Sequence, residues 1–143
     1  MVIGLPTRTK IEVNPAIARS IKGLDDLARV VFPDNRNHRR VFVAIWLELK
    51  YAEDHFARSF SGLEQEHGFS DRVQETVRAR MKKLGMLRRI SHFNPHHGHS
   101  SGWTFSDRFS CALRKVADTA EEMKRPAGRR IDEQKDRDSI SYV

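Results

Sequence analysis

The chain has 143 residues, of which 38% are hydrophobic and 31% are charged, and its formal net charge at pH 7 is +7. This length suits one domain with one hydrophobic core, and no apolar run approaches the roughly 20 residues that a membrane-spanning helix needs. With a single cysteine, Cys111, an internal disulfide is excluded, which is typical of a protein of the reducing cytoplasm, where we expect this one.

The first 36 residues are expected to form an arm followed by two short helices. Residues 1–13 suggest an arm or an edge strand. Asn14 and Pro15 are a good N-cap and first helical residue, and Gly23 is placed to end that helix. A second helix is predicted over residues 25–32, with a turn at 33–37.

The domain itself is predicted over residues 37–124 and begins with a long amphipathic helix. Apolar residues recur at intervals of three and four between about 38 and 58, which predicts a helix whose wide apolar face belongs to the core. These residues are Val41, Phe42, Ile45, Trp46, Leu49, Ala52 and Phe56.

Two further helices are predicted to follow. Ser61 and Glu64 have the spacing of a capping box, which opens a short helix ending at Gly68. Ser70 caps a helix over residues 71–84, and Gly85 ends it in the left-handed conformation. Its apolar residues are expected to face the core and are Val73, Val77, Met81 and Leu84.

The last predicted elements are a hairpin and a helix. Strands over 86–93 and 103–105 flank a polar loop at 94–102. Ser106 then caps a helix over 107–124, and residues 125–143 are expected to be a mobile tail. The apolar stripe of this last helix comprises Phe109, Leu113, Val116, Ala120 and Met123.

Positive charge is concentrated in residues 69–93. This stretch holds seven Lys and Arg against two acidic residues, a net charge of +5, whereas the segments on either side each carry +1. Such a concentration indicates a binding surface for a polyanion, and nucleic acid is the first candidate. Composition alone would also suit an acidic membrane surface or an acidic protein.

The order of these elements resembles the winged helix-turn-helix family of DNA-binding domains. The resemblance covers residues 41–116, and the segments that carry it are the capped short helix 61–68, the sequence VRARMKKLGMLRRI at 77–90 and WTFSDRF at 103–109. It implies an α+β, mostly α, fold: a three-helix core with a β-hairpin wing, to which this chain adds N-terminal helices and a long C-terminal helix. It also implies a sequence-specific double-stranded DNA-binding protein, in most cases a transcriptional regulator.

A recognition helix buries one face and offers polar side chains on the other. On the predicted helix 71–84, Arg72 and Arg78 would bind guanine, Gln74 adenine and Glu75 cytosine, while Lys82 and Lys83 would bind phosphates. Arg80 is expected to lie along the flank on the core side. The N-capping residues Ser61 and Ser70 would be near the DNA backbone. The resemblance adds wing contacts from Arg88, Arg89 and His92.

Other functions remain open. A winged helix can serve replication, plasmid or phage maintenance, or protein–protein contact. His92, His96, His97 and His99, or Cys111, could make the protein a metal- or thiol-responsive sensor, although the usual cysteine ligands of a structural zinc site are missing. No catalytic motif is present, so we expect neither an enzyme nor a cofactor. Regulators of this family commonly pair, and helices 15–32 and 107–124 are available for a homodimer.

Overall fold

A computed structural model describes residues 10–11, 13–95 and 98–143, without the side chains of residues 92, 94 and 99. In this part the protein is α+β and mostly helical, with seven α-helices and one two-stranded antiparallel sheet. The chain divides after Phe109 into two compact units, the second of which is Ser110–Val143. The helices are α1 Pro15–Arg19, α2 Leu24–Val31, α3 Arg36–Lys50, α4 Gly62–His67, α5 Asp71–Leu84, α6 Arg108–Glu122 and α7 Arg130–Asp138; the strands are β1 Leu87–Asn94 and β2 Gly98–Phe105.

The N-terminal helices begin as predicted, but the first is shorter. Asn14 Oδ1 accepts a hydrogen bond from the Ala16 amide at 2.9 Å, so the predicted N-cap is confirmed. The helix α1 ends at Arg19, and Gly23 is the N-cap of α2 instead of the end of α1. The arm predicted over residues 1–13 lies mostly outside the described residues.

The helix α3 ends eight residues before the predicted limit. Asp54 and His55 both have positive φ angles, 55° and 52°, which a right-handed helix does not accommodate. Ala57 then exchanges backbone hydrogen bonds with Trp103, at 3.0 and 2.7 Å. The chain therefore leaves the helix in order to reach the hairpin, and Phe56 does not continue the helical face as predicted.

One core holds α2 to α5 and the hairpin together. The largest of its fully buried side chains are Phe42, Ile45, Leu49, Phe60, Met81 and Leu87. At roughly 25 cal/mol per Å² of buried apolar surface, aromatic and aliphatic side chains of this size are the main source of stability. This core fixes α5 and β1 with respect to each other.

The hairpin is tighter than predicted. Its register runs from Leu87 opposite Phe105 to Asn94 opposite Gly98. Residues 98–102, which were predicted as part of a polar loop, are therefore paired residues of β2. Strand prediction depends on alternating apolar residues, and the Ser and Gly residues of β2 do not provide this alternation.

The second unit contains two helices with exposed surfaces. No residue of α6 is buried, and α7 forms within the segment for which the sequence indicated only a mobile tail. Over the residues that the structure describes, no helix combines the length and apolar character needed to cross a membrane.

Candidate nucleic-acid interface

The helix α5 is capped at both ends. Ser70 Oγ accepts a hydrogen bond from the Val73 amide at 3.3 Å, and Gly85 ends the helix with φ at 86°. Both features, and the bounds of α5, confirm the prediction. A Cβ at Gly85 would lie 2.8 Å from Arg108 Cβ, so glycine is also required there for the close approach of the next helix.

The core-facing side of α5 includes every residue predicted for it and Gln74 in addition. Val77 and Met81 are buried in the core, and Val73 and Leu84 are partly buried and packed against it. Gln74 widens this side beyond the predicted apolar stripe. The residues exposed on the outward side are Arg72, Glu75, Thr76, Ala79, Lys82 and Lys83.

Gln74 does not face outward, so its predicted position on the outward side of the helix is wrong. It is 3% exposed, and its Nε2 donates a hydrogen bond to the Phe69 carbonyl at 3.1 Å. A buried amide needs such a partner, and here the bond ties α5 to the turn after α4. Gln74 is therefore a structural residue.

Thr76 and Ala79 were missed by the sequence analysis; Ala79 lies near the centre of the exposed face, and Thr76 lies at its edge on the side of Arg80. The Thr76 hydroxyl donates to the Arg72 carbonyl at 3.0 Å. Small side chains at the centre let a helix approach the floor of a groove, and Ala or Thr methyl groups can contact the methyl group of thymine. A helical wheel centred on Gln74, Val77 and Met81 would have found both residues.

Three cations gather around one tryptophan on the flank of α5 that faces the hairpin. Arg78 and Arg89 lie 5.1 Å from the centroid of the Trp103 ring, and Lys82 lies 6.0 Å from it. Trp103 is 6% exposed and is fixed by its backbone bonds to Ala57. The ring attracts each cation through its quadrupole. We call Arg78, Lys82, Arg89 and Trp103 the tryptophan cluster.

The cluster brings three positive charges together, and no acidic side chain among the described residues pairs with them. From these distances, no two of its cations are more than about 11 Å apart, and the partial burial of Arg78 reduces the screening of its charge by salt. Among the residues that the structure describes, none of the three cations forms an ion pair with a carboxylate. Their mutual repulsion would be relieved by an anion bound between them.

The opposite flank of α5 carries Arg80, whose role is structural. Its Nε donates to the Val31 carbonyl at 3.0 Å, its guanidinium also contacts the Lys10 carbonyl, and it lies 5.3 Å from the Phe32 ring centroid. This confirms its predicted position on the core side. Arg80 binds α5 to α2 and to the segment before α1.

The predicted capping box at Ser61 does not form. Ser61 has helical backbone angles, and its Oγ lies 3.0 Å from Ser59 Oγ instead of capping α4. The neighbouring Asp71, through hydrogen bonding and through its negative charge, raises the pKa of Glu64 above its usual 4.5. Two acidic side chains, one from α4 and one from the start of α5, therefore lie near each other.

The hairpin separates the predicted wing cations. Arg89 pairs with Trp103 and Arg88 with Thr104. Since neighbouring residues of a strand point to opposite faces, only Arg89 joins the tryptophan cluster. His92 lies in β1 opposite Ser100, but its side chain is outside the described part of the structure, as are His96 and His97. The described residues include no group of three or more potential metal ligands.

Comparison of the chain with family models, with curated proteins and with solved structures found no match.

Proposed function

We propose that the protein binds double-stranded DNA with α5 and the β1–β2 hairpin, as a winged helix protein that regulates transcription. The observation that carries this proposal is the tryptophan cluster. It collects three cations, none of which pairs with a carboxylate within the described part of the chain, at the junction between an exposed helix face and a hairpin, where a phosphate backbone could lie against both. The order of α3, α4, α5 and the hairpin is that of the family which the sequence resembles.

The geometry favours a division of roles along α5. Arg72 is exposed in its first turn, which is the part of a recognition helix that contacts base edges. A guanidinium there can bind guanine O6 and N7, and Glu75 beside it can accept a hydrogen bond from cytosine. Arg72, Glu75, Thr76 and Ala79 are the proposed base-reading residues.

The remaining cations are proposed to bind phosphates. Arg78 was predicted to read guanine, but it is half-buried against Trp103 on the flank of the helix. A phosphate contact fits this position better, as it does for Lys82, Lys83 and Arg89. Such contacts give affinity and register without reading sequence. A homodimer would present two copies of this surface to half-sites about one DNA turn, roughly 34 Å, apart.

The proposal is tested by titrating duplex binding with salt, using a site selected from random sequences and an unrelated duplex. We expect the logarithm of the binding constant to fall linearly with the logarithm of salt concentration. The Lys82→Ala variant should make this fall less steep, by about 0.9 in the slope, and weaken binding to both duplexes alike. Arg72→Ala should instead reduce the preference for the selected site by about 1–3 kcal/mol.

Lys135→Ala is the matched control. It removes the same charge as Lys82→Ala, but Lys135 lies on α7, far along the chain from α5. Binding that is insensitive to salt, or that responds equally to Lys82→Ala and Lys135→Ala, would contradict a DNA interface on α5.

A further inference from the structure

The helix α6 and Met123, which directly follows it and whose amide donates to the Thr119 carbonyl at 2.9 Å, carry an apolar face that no described residue covers. Leu113, Val116 and Met123 are 41%, 67% and 65% exposed, and Ala120 is exposed between them. The four residues follow one another at intervals of three, four and three. This is the a and d spacing of a coiled coil, in which such a seam is covered by another helix.

We propose that this seam pairs with the same seam of a second copy, with the two helices antiparallel. The residues that flank the seam are small: Ala112 and Thr119 on one side, Ala117 on the other. Small residues at these flanking positions allow two helices to approach closely. They also leave room for longer side chains further out to reach across the pair.

The distribution of charge along α6 selects the antiparallel direction. Arg114 and Lys115 occupy its N-terminal half, and Asp118, Glu121 and Glu122 its C-terminal half. A parallel pair would set like charges level with each other, which is unfavourable. An antiparallel pair sets the basic half of each helix beside the acidic half of the other, and it also opposes the two helix dipoles.

The register follows from the seam. If Leu113 packs on Met123 of the second copy, Val116 packs on its Ala120, and twofold symmetry repeats both layers. In this register Arg114 lies on the same flank as the second copy's Glu121, and Lys115 on the same flank as its Glu122. Glu121 contacts Lys124 at 2.7 Å within one chain, but that pair is about 70% exposed and is readily exchanged.

The first test is sedimentation of the full chain at micromolar concentrations, without DNA. We expect a dimer whose dissociation constant rises about 100-fold or more in Val116→Glu, since a charge would be buried in the seam. Cys111→Glu places the same charge on the opposite, exposed side of α6 and should remain dimeric. Circular dichroism checks that both variants keep their helices.

The second test determines direction by cross-linking in a Cys111→Ser background. Ala117 lies close to the proposed twofold axis, so Ala117→Cys should form a disulfide-linked dimer under mild oxidation. The two copies of an Ala112→Cys variant would be about 18 Å apart along the helices and should not cross-link. In a parallel pair the two Ala117 positions lie on opposite sides, and neither variant would cross-link.

A third test exchanges charges. Lys115→Glu should weaken the dimer, and adding Glu122→Lys should restore it. A chain that stays monomeric at these concentrations would overturn the proposal. So would a Val116→Glu dimer of undiminished stability, or cross-linking of Ala112→Cys instead of Ala117→Cys. None of these measurements depends on DNA binding, so their outcome is separate from the proposed function.

Discussion

At the scale of single residues, Gln74 shows how burial changes a role. Replacing it with Leu would keep its volume but leave the Phe69 carbonyl without its donor. We expect Gln74→Leu to lower the free energy of unfolding by about 1–3 kcal/mol and to leave the preference among DNA sequences unchanged. Denaturant unfolding and competition binding measure the two effects. Glu75→Gln, at the neighbouring exposed position, should change the preference among DNA sequences and leave the free energy of unfolding unchanged. A changed base preference in Gln74→Leu would show that Gln74 contacts DNA.

Glu64 gives a second prediction at this scale, through the pH dependence of stability. Its pKa is raised in the folded protein by the bond to Asp71 and by that residue's charge. The folded state therefore binds the proton more tightly than the unfolded state does. The associated stability is present below the ordinary pKa and is lost as pH rises through the raised one.

We expect Glu64→Gln to raise the melting temperature at about pH 7, because its neutral amide can donate to Asp71 without repulsion. Near pH 4, below the ordinary pKa of 4.5, the gain should shrink, because the repulsion is lost as Glu64 takes up its proton. Glu48→Gln, at an exposed position of α3, is the control and should show no such pH-dependent gain. A gain of equal size at both pH values would mean that charge repulsion is not its cause.

At the scale of elements, the segment that leaves α3 must lie very close to the hairpin. A Cβ at Gly102 would lie 2.5 Å from the Ala57 carbonyl and 2.6 Å from Phe56 Cζ. We expect Gly102→Ala to lower the free energy of unfolding by about 1–3 kcal/mol, since backbone would have to shift. Because Trp103 is the next residue, DNA affinity should fall as well.

Thermal unfolding of Gly102→Ala beside Gly62→Ala tests this. A Cβ at Gly62, in α4, would have nothing within 4 Å, so that substitution should be neutral or stabilise by up to about 1 kcal/mol. Equal stability of the two variants would show that the hairpin can move away from residues 56 and 57.

At the scale of the whole molecule, the two units carry separate surfaces. The first presents cations on α5 and β1, and the second presents an apolar seam on α6. If both proposals hold, disrupting the seam should weaken binding to a two-half-site operator much more than to a single half-site, since linked sites gain from effective concentration. Val116→Glu measured on the two duplexes tests this, with Cys111→Glu as the control; equal losses would separate dimer formation from DNA recognition.

At several helix ends a local signal in the sequence was sufficient. Ser70 and Gly85 fixed the limits of α5, because an N-cap and a left-handed glycine act within one turn of the chain. Asn14 did the same for the start of α1, but the equally local capping box predicted at Ser61 does not form. The α+β, mostly helical class followed from the periodicity of apolar residues, and the clustering of positive charge on α5 and β1 was visible in the residue types alone.

Only the tertiary structure decided which way these elements turn. The burial of Gln74, which bonds to the Phe69 carbonyl in the turn before α5, is not evident from the residue types of α5. The end of α3 depends on Ala57 pairing with Trp103, 46 residues later. The tryptophan cluster likewise joins side chains from α5, β1 and β2. Contacts between distant segments depend on the packing of the whole core, and for that reason the candidate interface could be anticipated in composition but not in geometry.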